Sequence, residues 1–206
     1  MAAPIAIIDF ETTGISPAEG DRPTEVAIVL TENGAVVDRF QSLMNPGVRI
    51  PAFITQLTGI TNAMVQTAPP VAQVMRDAAR FVGHCPMVAH NASFDRKYWQ
   101  AELQRLGLPA QHPFACTVLL ARRLYPEAPN HKLGTLTRHL GLPATGRAHR
   151  ALADAEMTAA LLHHMFRQLH THYGLAQADH SLLMALQSRS KATVPKWLQQ
   201  QAAGQP

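Results

Sequence analysis

The chain opens on a short apolar run that ends in acidic residues. The run IAII at residues 5–8 is uninterrupted and mostly β-branched, which predicts a strand buried on both faces. Asp9 and Glu11 follow at alternate positions, so their side chains project from one face, roughly 7 Å apart along the strand. Two such carboxylates repel each other and resist desolvation, costs that a bound divalent cation would offset. A strand end where two acids simply meet water is the alternative that this segment leaves open.

The pattern of apolar positions further along predicts both strands and helices. Two strands, 26–30 and 36–44, flank the hairpin signal Glu32-Asn33-Gly34. A strand meander followed by helices that alternate with one or two short strands favours an α/β fold with a mixed sheet. The further elements that the pattern predicts are a short strand at 87–89 and helices over 71–82, from Asn91 or Ser93 to about 106, 118–124, 133–140, 151–172 and 181–186.

The C-terminal residues differ from the rest of the chain. Residues 187–206 are polar, rich in Gln and weakly patterned. We therefore expect one domain over 1–174 and a C-terminal appendage over 175–206, with partner binding as its candidate role. Trp197 is a candidate exposed anchor for such a partner.

Composition and charge narrow the class of protein. The chain has 206 residues, 47% of them hydrophobic, and a formal net charge of +4, which weakly favours a polyanionic partner. Cys85 and Cys116 have no zinc-binding spacing and are expected to be buried, reduced thiols. We find neither a signal segment nor a membrane span in the sequence, and expect a cytoplasmic protein. Several histidines lack metal-binding i,i+4 pairs and are expected on solvated helix surface: His163, His164, His170, His172 and His180.

Two further acidic segments stand at predicted helix starts. HNASFD at 90–95 places Asp95 in a first helical turn, where the helix dipole alone would favour a carboxylate. HRALAD at 149–154 places Asp154 on the inward face of the next long helix, which makes it a candidate metal ligand. His149 stands just before this helix, within reach of the same region.

Together these residues form a set suited to phosphodiester chemistry. Asp9, Glu11, Asp95 and Asp154 can supply an oxygen-lined site for two divalent ions. Two ions about 3.5–4 Å apart can activate a water and stabilise a leaving oxygen. An imidazole changes its charge near neutral pH and suits removal of a proton from that water. The chain has no Gly-rich P-loop with its lysine, which argues against Walker-type nucleotide chemistry.

The three segments DFETTG, HNASFD and HRALAD, in this order and spacing, resemble the motifs of DnaQ-like (DEDDh) exonucleases. This family includes the proofreading subunit of bacterial DNA polymerase III and the exonuclease domain of PolC-type polymerases. The resemblance covers roughly residues 4–170 and includes TGIT at 58–61 and NHKL at 130–133. It implies a ribonuclease H-like fold, with a mixed five-stranded sheet flanked by helices. It also implies removal of nucleoside 5′-monophosphates from a 3′ end.

The resemblance also implies roles for individual residues. The four acids would bind two Mg²⁺ or Mn²⁺ ions, and His149 would be the general base. The terminal nucleotide would be held by Thr12, Thr13, Gly14, Asn91 and Phe94. One departure is Cys116-Thr117, where many proofreading relatives have Asp-Thr.

Three functions remain open at this point. The first is a 3′–5′ exonuclease on single-stranded 3′ ends of DNA, in proofreading or repair, with a polymerase as candidate partner through the C-terminal appendage. The second is an exoribonuclease that trims RNA, because the same chemistry does not require the 2′-hydroxyl. The third is a catalytically silent module that docks a polymerase or single strands; the intact acids argue against it. Deletion of 187–206 is expected to leave nuclease activity intact.

Overall fold

Five strands form one mixed sheet: β1 (Ile5–Thr12), β2 (Pro23–Glu32), β3 (Ala35–Leu43), β4 (Met87–Ala89) and β5 (Phe114–Cys116). Their order is β3-β2-β1-β4-β5, in which β2 runs antiparallel to both β1 and β3, and β4 and β5 run parallel to β1. The computed structural model describes residues 4–143, 149–175 and 177–204. The predicted mixed five-stranded sheet is confirmed.

The described helices are α1 (Ala52–Thr58), α2 (Asn62–Gln66), α3 (Val71–Val82), α4 (Ala92–Arg105), α5 (Thr117–Leu124), α6 (Leu133–His139), α7 (Ala151–Tyr173), α8 (His180–Gln187) and α9 (Val194–Ala203). The predicted helices from α3 to α8 are confirmed within a few residues. The sequence pattern missed α1 and α2, because each is under two turns long and buries only one or two side chains. Within the described ranges, no helix has the length and apolarity needed to cross a bilayer.

Alternation along β1 divides the core between the two faces of the sheet. Ile7 and Val29 pack in the cluster formed with α7, whereas Ile8 and Phe10 pack in the cluster formed with α3 and α4. The strand is therefore buried on both faces, as predicted. Since the side chains alternate, the acids at the end of β1 continue the Ile7 face and project toward α7.

The C-terminal residues fold back onto the sheet. Val194 and Leu198 of α9 are fully buried in the α7-side cluster. Gln187 extends the hydrogen bonding of the edge strand β5: its side-chain oxygen accepts from Cys116 N (2.7 Å), and its amide nitrogen donates to Phe114 O (3.3 Å). The described part of 187–206 thus contains a packed helix that the sequence pattern did not predict, because two buried residues among glutamines give too short a pattern to detect. The division into a domain over 1–174 and an appendage over 175–206 stays a prediction. Residues 205–206 lie outside the described residues.

Two side-chain expectations also need correction. Trp197 is half-buried against the core, with the Arg189 guanidinium 5.1 Å from its ring centre, and is not an exposed anchor. His180 is buried, and its Nε2–H donates to Met87 O (2.9 Å), so it does not lie on solvated surface. Burial lowers the pKa of this imidazole. The histidines of α7 are half-buried (His163 and His164) or exposed (His170 and His172).

Leu198→Ala tests whether α9 belongs to the core. We expect it to lower the free energy of unfolding by about 2–5 kcal/mol, because it leaves a cavity in a packed cluster. The measurement is urea denaturation of the full chain, with the exposed Gln200→Ala as a control that should change stability by less than about 0.5 kcal/mol. Equal stability of both variants would contradict the packing. For the same reason, we now expect deletion of 187–206 to destabilise the fold.

Candidate active site

The first acidic segment meets the second through a backbone hydrogen bond. The parallel register places Ile7 of β1 opposite Val88 of β4, so α4 begins beside the end of β1. Phe10 N–H donates to Asp95 Oδ1 (3.1 Å), and the Asp95 side chain is buried. Asn91, one of the two predicted starts of this helix, occupies the N-cap position with φ 71°, and its side chain makes no capping hydrogen bond. This junction fixes Asp95 against the β1 backbone.

The third acidic segment meets β1 from the opposite layer. Glu11, His149 and Asp154 have potential ligand atoms that all lie within 4.8 Å of one another. The backbone N–H of His149 donates to Asp154 Oδ2 (3.1 Å). Glu11 is buried, Asp154 is half-buried and His149 is exposed. The structure therefore brings the predicted acids and histidine into one site, open to solvent on the His149 side.

Burial and mutual repulsion dominate the electrostatics of this site. Burial, followed by the charges of Asp95, Glu11 and Asp154, raises the pKa of Asp9 well above its ordinary value. Burial and the Asp154 and Glu25 charges raise the pKa of Glu11 to about 8. Burial raises the pKa of Asp95 to about 8 and also raises that of Asp154. Carboxylates that resist ionisation in this way are a donor set that a hard divalent cation would stabilise.

The loop after β1 is held by its own side chains. Gly14 O accepts hydrogen bonds from Thr12 Oγ1 (2.5 Å) and from the Tyr98 hydroxyl (2.9 Å), while Thr13 Oγ1 donates to Asp21 Oδ1 (3.3 Å). A Cβ on Gly14 would lie 2.3 Å from the Asp21 carboxylate, so only glycine allows this close approach. The hydroxyls of Thr12 and Thr13 thus shape the loop and are engaged within it.

Phe94 and Asn91 flank Asp95 at the start of α4. Phe94 is half-buried, with its ring centre 5.1 Å from that of Tyr98 and 5.2 Å from the Lys97 amine. Asn91 is exposed, and its side-chain oxygen accepts from the Ser93 hydroxyl (3.4 Å). An aromatic ring supported on one side and partly open on the other can serve as a stacking surface for a base.

Glu25 is a residue of this site that no local sequence pattern predicts. Glu25 lies opposite Glu11 in the antiparallel register of β1 and β2. Its carboxylate is fully buried and accepts hydrogen bonds from the side chains of Arg150 and Gln41 and from Ala151 N–H. Burial alone would raise the pKa of Glu25, but these hydrogen bonds and the Arg150 charge hold it below its ordinary value. The available signal was a charged residue at the start of an otherwise apolar strand.

His90 links the second motif to the segment 130–133. Its Nε2–H donates to His131 O (3.0 Å), which fixes the tautomer, and its Nδ1 accepts from the Thr117 hydroxyl (2.9 Å). Burial lowers the pKa of His90 to about 4. The neutral side chain of His90 therefore holds the segment 130–133 through His131 O, a role that the spacing of the motifs did not predict.

Comparison of the sequence with models of known protein families identifies the family of this chain. The model of the exonuclease family RNase T matches residues 6–162. The chain belongs to this exonuclease family. The matched residues include all four acids and His149, and the predicted DnaQ-like 3′–5′ exonuclease domain is confirmed at the level of the family.

Relatives of this RNase T family chain include much longer polymerases. DNA polymerase III PolC-type from Oceanobacillus iheyensis is 43% identical over 164 residues, which are 79% of this chain but 11% of that protein. PolC-type DNA polymerase III from Bacillus subtilis is 40% identical over 163 residues, again 11% of its length. The chain thus corresponds to one small part of these curated relatives.

A solved structure supports the fold over nearly the whole length. Exonuclease X, in complex with 5′ overhanging duplex DNA, superposes with a TM-score of 0.70 at 28% identity, covering 89% of this chain and 99% of that one. The predicted ribonuclease H-like fold is confirmed.

The raised pKa of Glu11 predicts how stability depends on pH. Between its ordinary value of 4.5 and about 8, the folded state holds a proton that the unfolded chain releases. The free energy of unfolding in EDTA should therefore fall as pH rises through this window, by up to about 1.4 kcal/mol per pH unit for each such proton. Glu11→Gln should flatten the slope by about one proton, whereas Glu19→Gln, at an exposed acid, should not. Identical slopes in urea denaturation from pH 5 to 8 would contradict the raised pKa.

Proposed function

We propose that the chain is a metal-dependent 3′–5′ exonuclease that acts on single-stranded 3′ ends of DNA. The observation that carries this proposal is the convergence of carboxylates from β1, α4 and α7 beside the exposed His149. DNA is favoured as substrate because Exonuclease X, similar over 99% of its length, was solved with DNA, and the PolC relatives are DNA polymerases. The products would be nucleoside 5′-monophosphates.

The residues of the site fit divalent metal ions. Hard cations such as Mg²⁺ and Mn²⁺ prefer oxygen ligands, and these carboxylates are poorly stabilised as anions by the protein alone. When bound, two such ions supply activation of a water and stabilisation of the leaving oxygen. The residues that would hold them are Asp9, Glu11, Asp95 and Asp154.

His149 is the proposed general base. Its backbone N–H is tied to Asp154, and its side chain is exposed, so a water can reach both the imidazole and the acidic cluster. In the proposed reaction, water attacks the phosphorus of the terminal phosphodiester. The bond to the 3′-oxygen of the preceding nucleotide breaks, and that oxygen takes a proton from solvent to become the new 3′-hydroxyl. The imidazole takes the proton of the attacking water.

The proposed nucleotide site lies around the loop after β1 and the start of α4. Because the hydroxyls of Thr12 and Thr13 are engaged within the loop, we expect these residues and Gly14 to contact the nucleotide chiefly through their main chain. Asn91 and the half-buried ring of Phe94 would contact the sugar and base.

The proposal extends to the partner and the cellular location of the chain. A polymerase partner is supported by the PolC relatives, of which this chain spans 11%. Contact through 175–206 stays a prediction, and any such contact must use outward residues of α8 and α9, because Leu198 and its neighbours pack inward. A cytoplasmic location is supported by the two free cysteines.

The direct test is stepwise degradation of 5′-labelled single-stranded DNA and RNA of one sequence with Mg²⁺. We expect shortening from the 3′ end, faster on DNA, and no shortening with EDTA or in Asp9→Ala. His149→Ala should lower kcat by about 10²–10⁴-fold, the usual contribution of a general base, while the exposed His170→Ala on α7 should not.

Each other outcome of this test identifies a different function. A faster rate on RNA would replace DNA by RNA as the substrate. No shortening of either strand, with Mg²⁺ or Mn²⁺, would contradict the proposed exonuclease activity and favour a catalytically silent binding module.

A further inference from the structure

Glu25 is a buried carboxylate that the proposed metal chemistry does not use. It lies on β2 directly across from Glu11, and its side chain has no exposed surface. A buried charge is tolerated only where partners satisfy it. Among the described residues, its hydrogen-bond donors on the α7 side are Arg150 and Ala151, the two residues that follow His149.

The contacts of Glu25 hold the entrance to α7. Arg150 donates two hydrogen bonds to the carboxylate, from Nε to Oε2 (3.0 Å) and from Nη2 to Oε1 (2.8 Å). Ala151 N–H, at the first position of α7, donates to Oε2 (3.1 Å). This N–H has no partner within the helix, and Arg150 at the N-cap position makes no side-chain cap. The neighbouring strand therefore caps α7 through Glu25.

The backbone immediately before this contact is strained. His149 has φ 60°, in the left-handed region that a non-glycine residue seldom adopts. Such a conformation persists only where the surrounding structure enforces it, and it often occurs at functional sites. The enforcing contacts are those on either side of it: the bond from His149 N to Asp154, and the Glu25 contacts to Arg150 and Ala151.

We propose that Glu25 is a positioning residue of the exonuclease site, which acts through Arg150 and Ala151 to hold His149 and Asp154 in place. This inference rests on the proposed function. The two parallel hydrogen bonds fix the orientation of the Arg150 guanidinium against Glu25, and the bond from Ala151 N–H holds the backbone beside it. A second ion pair between the sheet and α7 joins Arg39 Nε to Glu156 Oε1 (2.7 Å). It is exposed, and it serves as the comparison for an ion pair that only stabilises the packing of α7 on the sheet.

The first test compares Glu25→Gln with Arg39→Gln, which removes the exposed ion pair on the same helix. Glutamine has nearly the same shape, but it presents an N–H₂ to the donors of Arg150 and Ala151. With the p-nitrophenyl ester of thymidine 5′-monophosphate and Mn²⁺, we expect Glu25→Gln to lower kcat by about 10–100-fold, with KM changed by less than about threefold. Arg39→Gln should keep kcat within about twofold of the wild type.

A second readout does not depend on turnover. Calorimetric titration of Mn²⁺ without nucleotide should show affinity weakened by about 10–100-fold in Glu25→Gln, because Asp154 is displaced, and unchanged in Arg39→Gln. Wild-type kcat and Mn²⁺ affinity in a folded Glu25→Gln would overturn the proposal.

If Glu25→Gln fails to fold, variants of Arg150, the more exposed member of the Glu25–Arg150 pair, test the same proposal. Arg150 is 34% exposed, so Arg150→Lys and Arg150→Gln are expected to fold. Arg150→Lys keeps the charge and one hydrogen bond and should retain more of kcat than Arg150→Gln. Equal activity of both variants and the wild type would overturn the positioning role and leave the exonuclease intact. A wild type inactive on this ester and on labelled DNA would overturn the proposed function and this inference together.

Discussion

The burial of several like charges at the end of β1 is the constraint on which the rest of this structure depends. Carboxylates so placed are disfavoured as anions by burial and by one another, as their raised pKa values indicate. A chain that only needed a stable core would place apolar side chains there. The sheet, the entrance to α7 and the first turn of α4 hold these groups together in spite of that cost, which is typical of a site built for function.

Contacts on both faces of the central strand β1 hold the acidic residues in place. Even-numbered residues of β1 lock into the α3–α4 layer, and the Phe10 amide holds Asp95. Odd-numbered residues face α7, where Glu25 secures the helix entrance beside His149. Because β2 pairs with β1 as far as Thr12 and Asp95 accepts the hydrogen bond of Phe10 N–H, the end of β1 has little freedom to relax away from the repulsion. Precision in this site therefore comes from rigid elements on either side of β1.

Much of this arrangement could be predicted from the sequence, and the exceptions have physical reasons. The acids at 9, 11, 95 and 154 follow strong local patterns, a buried strand and two helix starts, so their convergence followed from the α/β topology. Glu25 was missed because its importance depends on a partner 125 residues away, which no local pattern encodes. The sequence did not predict the packing of α9, because two buried side chains are too few to show a helical period. It did not predict α1 and α2, because these helices are short.

The most direct test of the central claim is the stability of Asp95→Asn without metal. Asparagine can still accept the hydrogen bond from Phe10 N–H, but it removes one charge from the cluster. If the carboxylates repel one another as described, this variant unfolds at a higher urea concentration than the wild type in EDTA at pH 8.5, although it loses nuclease activity. A variant less stable than the wild type under these conditions would contradict the claim, because it would show that the charge of Asp95 stabilises the fold.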